Sequence, residues 1–152
     1  MKEKNKKLIL YVLLCVVTLG ILFCAIKLNR NRIDNILSES YIKDYLTEIK
    51  YEEIDSYILE QPNAIIYVSN SKEEDSRNFE RKFSKLIKKY NLENQIVYIN
   101  INNTNLADIN FQNAPVLIFY DNKEVFDMID CTTLKNEKSI FKALEERKII
   151  ND

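Results

Sequence analysis

The chain has 152 residues, a formal net charge of -1, no histidine, one glycine and three cysteines. Without histidine it has no imidazole acid or base, no histidine metal ligand and no triad built on histidine. The single glycine lies in an apolar run near the N-terminus, so phosphate-binding glycine-rich loops and dinucleotide fingerprints are excluded from the rest of the chain.

An uncharged run of 19 residues, Leu8 to Ile26, follows a basic N-terminal flank at residues 1–7. As a helix it would be about 28 Å long, close to the roughly 30 Å hydrocarbon core of a bilayer. It lacks the polar face that a long helix packed on a protein core usually shows. We therefore expect a transmembrane helix over residues 8–28 in contact with the lipid bilayer. The alternative, a cleaved signal peptide, requires a shorter apolar region and a small-residue cleavage site.

Basic residues flank this span on both sides. Four lysines precede it and three basic residues follow it, so the positive-inside rule favours a cytoplasmic N-terminus. We expect a single-pass protein of the cell membrane with an extracytoplasmic C-terminal domain. Residues 1–32 carry a net charge of +6, so residues 33–152 must sum to -7. An acidic domain argues against nucleic acid as its partner.

The polar segment at residues 29–46 has apolar residues at helical spacing, which predicts a juxtamembrane helical linker. The domain then occupies residues 47–152. Its first predicted elements are a short edge strand at 48–50 and a short helix over 51–59, which the sequence Gln-Pro-Asn at 61–63 ends.

Two buried strands and a long helix come next. The apolar runs at 64–68 and 95–101 are typical of strands that are buried on both faces. Between them, residues 73–90 carry a single apolar stripe at helical spacing, which predicts an amphipathic helix. Residues 102–112 are expected to form a polar connection with one helical turn around Leu106 and Ile109.

The last third of the domain predicts a hairpin and a closing helix. A strand over 116–120 leads into a two-residue turn at Asp121-Asn122, and a partner strand follows over 123–129. A final helix starts near Thr132. Two parallel strands joined by a long helix, followed by this antiparallel hairpin, predict an α/β fold: a mixed sheet with helices on both faces.

The three cysteines form no disulfide framework. Cys15 and Cys24 lie nine residues apart in the apolar span, on opposite sides of a helix, so they cannot pair with each other. Cys131 is the only thiol of the domain. It is either buried and inert or available for an intermolecular bond, and we favour burial.

At this point the sequence resembles the thioredoxin-like superfamily over about residues 47–149. The resemblance rests on the strand AIIYV leading into an amphipathic helix, on the segment NAPVLIFYDNKEVFDMI, and on the final helix. It implies that Pro115 of the Ala114-Pro115 pair is cis and faces the start of the active-site helix across a groove. The spacing from Tyr67 to Phe79 is similar to that of the bacteriocin-transport-accessory branch.

The chain differs from this superfamily at the redox motif. Catalytic members carry C-x-x-C at the start of the long helix, with the first thiolate activated there. Alignment on Tyr67 and Phe79 places Glu73-Glu74-Asp75-Ser76 on that tetrad, and residues 25–130 contain no cysteine. Dithiol exchange needs an attacking and a resolving sulfur. The resemblance also places Tyr67 at the position of a buried aspartate and Cys131 near the edge of the groove.

The acidic cluster of Glu73, Glu74 and Asp75 has its own alternatives. Catalytic carboxylate pairs converge on a shared site, whereas adjacent residues fan out around a helix. A divalent-cation site would need a loop with ligand spacing. Stabilisation of the helix N-terminus explains the cluster better. We therefore expect no catalytic residue, no metal and no cofactor.

These observations favour a membrane-tethered, redox-inactive thioredoxin-like module that binds a protein or peptide. The resemblance implies an accessory role in the export or envelope maturation of secreted peptides. Two alternatives stay open: a thiol–disulfide protein that uses Cys131 with a cysteine of its partner, and a small structural subunit of a membrane complex. The abundance of Asn, Lys and Ile is typical of AT-rich genomes and indicates a bacterial source.

Overall fold

The N-terminal unit is one helix. The computed structural model describes residues 2–103 and 114–150, and the chain divides into two compact units, residues 1–37 and 38–152. Helix α1 covers Lys2–Ser38. Its stretch Tyr11–Arg30 is long and apolar enough to cross a membrane, and none of it is buried inside the protein.

The predicted helical linker over residues 29–46 is wrong in its second half. Helix α1 ends at Ser38, and the chain then forms turns in which the backbone N–H groups of Tyr45 and Leu46 donate to the carbonyl of Ile42. Ile42 and Leu46 are buried in the core of the second unit. The apolar residues that predicted a continued helix are therefore core residues, and the folded domain includes residues 40–46.

A five-stranded mixed sheet forms the centre of the second unit within the described residues. Its spatial order is β1-β3-β2-β4-β5; β3 is parallel to β1 and β2, whereas β4 is antiparallel to β2 and β5. This confirms the predicted fold class. The strands are β1 (Thr47–Glu48), β2 (Ile65–Ser69), β3 (Ile96–Asn100), β4 (Val116–Asp121) and β5 (Glu124–Asp130).

Helices cover both faces of the sheet, as predicted. Helix α2 (Ile54–Glu60), entered through a 3-10 turn at Tyr51–Glu53, packs on one face. Helices α3 (Glu74–Tyr90) and α4 (Glu137–Glu145) pack on the other. Because alternate residues of a strand point to opposite faces, each buried strand supplies both cores. In β2, for example, Tyr67 faces α3 while Ile66 and Val68 face α2.

The hairpin turn and the start of the last helix differ from those predicted. The hairpin turn lies at Asn122 and Lys123, because Asp121 already pairs with Glu124; both turn residues have positive φ (52° and 74°), as a type I′ turn requires. The last helix begins only at Glu137, where the Asn136 side chain caps it by accepting from the backbone N–H of Ser139. The turn expected around Leu106 and Ile109 lies outside the described residues.

Candidate functional site

The resemblance places the redox tetrad where the loop after β2 enters the first turn of α3. Ser76, its fourth residue, is fully buried, and its hydroxyl accepts a hydrogen bond from the backbone N–H of Asn70 at 3.1 Å. The side-chain oxygen of Asn70 in turn accepts from the backbone N–H of Lys72 at 3.2 Å. The Ser76 side chain thus holds the loop against the helix rather than facing a substrate.

Two asparagines at the end of β3 hold the same loop from the other side. The Asn100 amide donates to the buried Ser71 hydroxyl at 3.1 Å, and the Asn102 amide donates to it as well. The Asn102 side-chain oxygen also accepts from the backbone N–H of Lys72 at 3.2 Å. The loop contains no glycine. These side-chain hydrogen bonds hold its backbone in one conformation.

The acidic residues of the tetrad lie on the surface. Glu73, Glu74 and Asp75 are all exposed. Glu73 precedes α3, where its carboxylate accepts from the Asn70 side-chain amide at 2.9 Å, and the other two occupy the first turn. Carboxylates at this end of a helix are favoured by the positive end of its dipole. The arrangement places a cap of negative charge beside the loop.

A buried carboxylate, Glu80, lies directly behind this site and was not predicted. Its side chain is fully buried; Oε1 accepts from the Ser69 hydroxyl at 2.6 Å, and Oε2 accepts from the backbone N–H of Tyr41 at 2.8 Å. Burial raises the pKa of Glu80, and these hydrogen bonds partly oppose the rise. Glu80 therefore connects the end of β2, α3 and the segment that follows α1.

The sequence did contain a signal for Glu80. Ser76, Glu80, Phe83 and Ile87 follow one another at i, i+4, i+7 and i+11, and all four are buried. Two polar residues on the spacing of the buried face indicate a polar contact inside the domain. Reading only the apolar residues of the stripe hides that signal.

Tyr67, which the resemblance places at the position of a buried aspartate, lies in the same interior region. Its ring packs against Phe79 and Phe83, with ring centroids 5.4 and 5.8 Å away. Its hydroxyl is buried without a hydrogen-bond partner among the described residues. Burial raises the pKa of Tyr67 well above its usual value, and the nearby carboxylate of Glu80 raises it further.

We expect Tyr67→Phe to leave the free energy of unfolding unchanged or to raise it by up to about 1 kcal/mol. The substitution removes a hydroxyl that is desolvated by burial and has no compensating hydrogen bond among the described residues. Tyr98→Phe is the matched control: the Tyr98 hydroxyl donates to Glu48 at 2.8 Å, so its loss should cost about 1 kcal/mol. Urea denaturation of the full-length chain in detergent micelles measures both. A larger cost for Tyr67→Phe than for Tyr98→Phe would contradict this interpretation.

Cys131 is buried, which confirms the favoured prediction. It begins a 3-10 turn after β5 and is 2% exposed, and its thiol donates to the Ile129 carbonyl at a sulfur–oxygen distance of 3.6 Å. Burial raises the pKa of the Cys131 thiol far above its usual range. The residue borders a small cleft of about 120 Å³, whose lining includes Asp75, Asn78 and Lys82 of α3. Cys131 and one residue of the tetrad therefore meet at the same cleft.

The Ala114–Pro115 peptide bond is cis, as the resemblance implies. Val116 of β4 pairs with Val68 of β2, so Pro115 lies beside the end of β2, where the chain turns into the loop of the site. The Pro115 carbonyl accepts the backbone N–H of Cys131 at 2.9 Å. Pro115, the loop and the thiol thus come together at one end of the sheet.

Comparison with known proteins shows the fold of the second unit. No protein-family profile matches the chain, and no curated protein matches it. Among solved structures it is similar to thioredoxin f2 of Chlamydomonas reinhardtii, with 13% identity, a TM-score of 0.54, and coverage of 70% of this chain and 99% of that one. It is also similar to mitochondrial thioredoxin 3 of Saccharomyces cerevisiae, with 14% identity, a TM-score of 0.51, and coverage of 71% and 99%. The chain has a thioredoxin-like α/β fold.

Proposed function

We propose that this chain is a membrane-tethered thioredoxin-like module that binds a protein or peptide without exchanging disulfides. One observation carries the proposal: on a thioredoxin-like scaffold, the four residues around the start of α3 include no cysteine, and the domain has a single thiol, Cys131. These four residues are Glu73, Glu74, Asp75 and Ser76. Disulfide exchange within one domain requires two sulfur atoms. We propose that a domain with this loop, helix and proline but without the two sulfur atoms binds a partner and does not exchange disulfides.

The ligand that we propose is an extended peptide bound at this end of the sheet. Backbone hydrogen bonds to a bound strand need no catalyst. The exposed carboxylates of Glu73, Glu74 and Asp75 add negative charge at this end of the sheet, which favours partners with basic residues at that place. The buried hydrogen bonds of Ser71 and Ser76 keep the loop fixed, so little conformational freedom remains to be lost on binding.

The apolar part of α1 supports the tether. Its window Tyr11–Arg30 has the length and composition of a membrane span. The four lysines before the span and the three basic residues after it favour a cytoplasmic N-terminus, so the domain would lie outside the cell. A binding module held there fits an accessory role in the export or maturation of secreted peptides, as in the bacteriocin-transport-accessory branch.

The alternative of a one-thiol redox protein requires a reactive Cys131. The thiolate is the reacting species, and it forms most readily where the thiol is exposed and next to positive charge. Cys131 is 2% exposed, and burial holds its pKa far above the usual range. These properties favour the binding module over this alternative.

A photo-crosslinking experiment in cells tests the proposal. A benzophenone amino acid replaces either Glu74, at the exposed rim of the site, or Glu60, at the end of α2. We expect discrete adducts with a protein or peptide from position 74 and none from position 60. The same adducts should form when Cys131→Ser is added. Equal labelling from both positions would contradict a binding site at the start of α3.

Two further arms separate the alternatives. Loss of the position-74 adducts in Cys131→Ser would favour the thiol–disulfide protein. Replacement of residues 8–28 by an unrelated apolar helix should leave the adducts intact, because the module needs only to be held at the membrane. Their loss in that chimera would favour a structural subunit whose anchor makes the specific contacts.

A further inference from the structure

The outer surface of α3 is strongly basic. Six basic residues lie within an arc of about 140° when the helix is projected at 100° per residue. Beyond Asp75 the helix has one acidic residue, Glu80, and that side chain is buried. This surface, called the basic face below, consists of Arg77, Arg81, Lys82, Lys85, Lys88 and Lys89.

The composition of the domain does not explain why so many basic residues lie on one face of α3. Residues 33–152 contain 15 basic and 22 acidic residues, a net charge of -7, yet six of the basic residues share one helix face. Lys85 forms an ion pair with Glu137 at 2.5 Å, and Lys82 donates to the Lys135 carbonyl at 2.7 Å. Two further lysines, at positions 135 and 138, flank this end of α4 and extend the positive surface.

Aromatic contacts connect the basic face to the segment that follows α1. The guanidinium carbons of Arg77 and Arg81 lie 4.9 and 5.6 Å from the centre of the Tyr41 ring, and the Lys88 ammonium lies 4.6 Å from that of Tyr45. Arg77 also donates to the Tyr41 hydroxyl at 3.1 Å. The neighbouring arginines lower the pKa of Tyr41. Cation–π contacts of this kind hold the basic side chains beside the junction with the helix.

The length of the chain limits how far this face can lie from the bilayer. Tyr41 is three residues beyond Ser38, the last residue of α1, which extended chain covers in about 10 Å. Residues 31–38 of the helix add about 12 Å beyond the apolar window Tyr11–Arg30. The part of the basic face that contacts Tyr41 is therefore tethered within roughly 22 Å of the membrane surface, plus the width of the contacts themselves.

We infer that the basic face of α3 binds the anionic lipid headgroups of the same membrane that holds the anchor, an inference that rests on the proposed tether. Clustered lysines and arginines close to an anionic surface gain attraction from each residue. The tether supplies the proximity that a free acidic domain would lack, because it makes binding intramolecular. Docking in this way would fix which part of the domain faces the membrane and leave the rest for partners.

Amine modification of the full-length chain in lipid nanodiscs tests this inference. Nanodiscs contain phosphatidylcholine alone or with about 30 mol % phosphatidylglycerol, an anionic lipid. Acetylation rates of individual lysines are read by mass spectrometry. We expect Lys85, Lys88 and Lys89 to react in the anionic discs at about one fifth of their rate in the neutral discs, or at a lower rate. This difference should vanish in about 0.5 M salt. The exposed Lys50 and Lys123 lie outside the basic face and serve as controls. Their acetylation rates should change only by the general effect of the anionic surface on the reagent.

A matched pair of variants adds a second readout. In the natural chain Lys82, the fourth lysine of α3, should also be protected in anionic discs. In Lys85→Gln/Lys88→Gln/Lys89→Gln, Lys82 should lose this protection. The control Lys50→Gln/Lys123→Gln/Lys148→Gln removes the same charge elsewhere and should keep it. Equal rates in the two lipid compositions, or equal slowing of every lysine, would overturn the inference. A chain that fails to co-purify with neutral discs would instead refute the tether, so the two failures are distinguishable.

Discussion

Replacing Phe83 with alanine is expected to lower the free energy of unfolding of the domain by about 3–5 kcal/mol. Phe83 is fully buried and packs against both Tyr67 and Phe79, with ring centroids 5.8 and 5.1 Å away. Its removal would leave a cavity between α3 and the sheet that these rigid rings cannot fill. The measurement is urea denaturation of the full-length chain in detergent micelles, followed by the near-ultraviolet circular dichroism of its tyrosines.

Phe126→Ala is the matched control for this substitution. Phe126 lies on β5 and is 61% exposed, so the same truncation should cost less than about 1 kcal/mol. Similar losses for both variants would mean that Phe83 does not occupy the centre of the core. Helix α3 would then not be packed as described, and the site at its N-terminus would lose its support.

Replacing Glu80 with alanine is expected to cost about 2–4 kcal/mol, because one buried and one part-buried donor lose their acceptor. The Ser69 hydroxyl and the Tyr41 backbone N–H would both be left unpaired at the end of β2. Glu80→Gln should cost less, since its amide oxygen can accept from Tyr41 while its amide nitrogen donates to the Ser69 oxygen. Glu60→Ala, at an exposed position of α2, should change the free energy of unfolding by less than about 0.5 kcal/mol.

The same carboxyl group predicts a pH dependence with a defined sign. Burial raises the pKa of Glu80, so the folded chain retains a proton that the unfolded chain has released. Stability from this residue is therefore complete below the pKa of an unfolded glutamate, about 4.3, and falls as the pH rises through the raised value. The difference in free energy of unfolding between Glu80→Gln and the natural chain should grow in favour of the variant over this range. A difference that is constant from pH 4 to pH 8, or that shrinks, would contradict a raised pKa.

Periodicity and residue type were sufficient to predict most of the scaffold. Continuous apolar runs with β-branched residues predicted β2 and β3, because strands buried on both faces are nearly continuous in apolar residues. The stripe from Phe79 to Tyr90 gave α3 within one residue. The hairpin turn lies one residue later than predicted. The pairing of Asp121 with Glu124 depends on the strand register, which the sequence determines only weakly.

Long-range contacts explain what the sequence could not predict. Ile42 and Leu46 show helical spacing, yet the chain leaves the helix at Ser38 because their burial in the core outweighs local helix propensity. The hydrogen bonds that join Ser71 to Asn100 and Asn102 connect residues 29 and 31 positions apart. The placement of the redox tetrad on residues 73–76, by contrast, uses only the spacing between Tyr67 and Phe79, and it stays a prediction.

The turnover of insulin disulfides by the full-length chain, with dithiothreitol as the source of electrons, tests the central claim most directly. Without a second sulfur beside the start of α3, the rate should equal that of dithiothreitol alone, and Cys131→Ser should not change it. A rate above that background that disappears in Cys131→Ser would show that this domain has kept a redox activity.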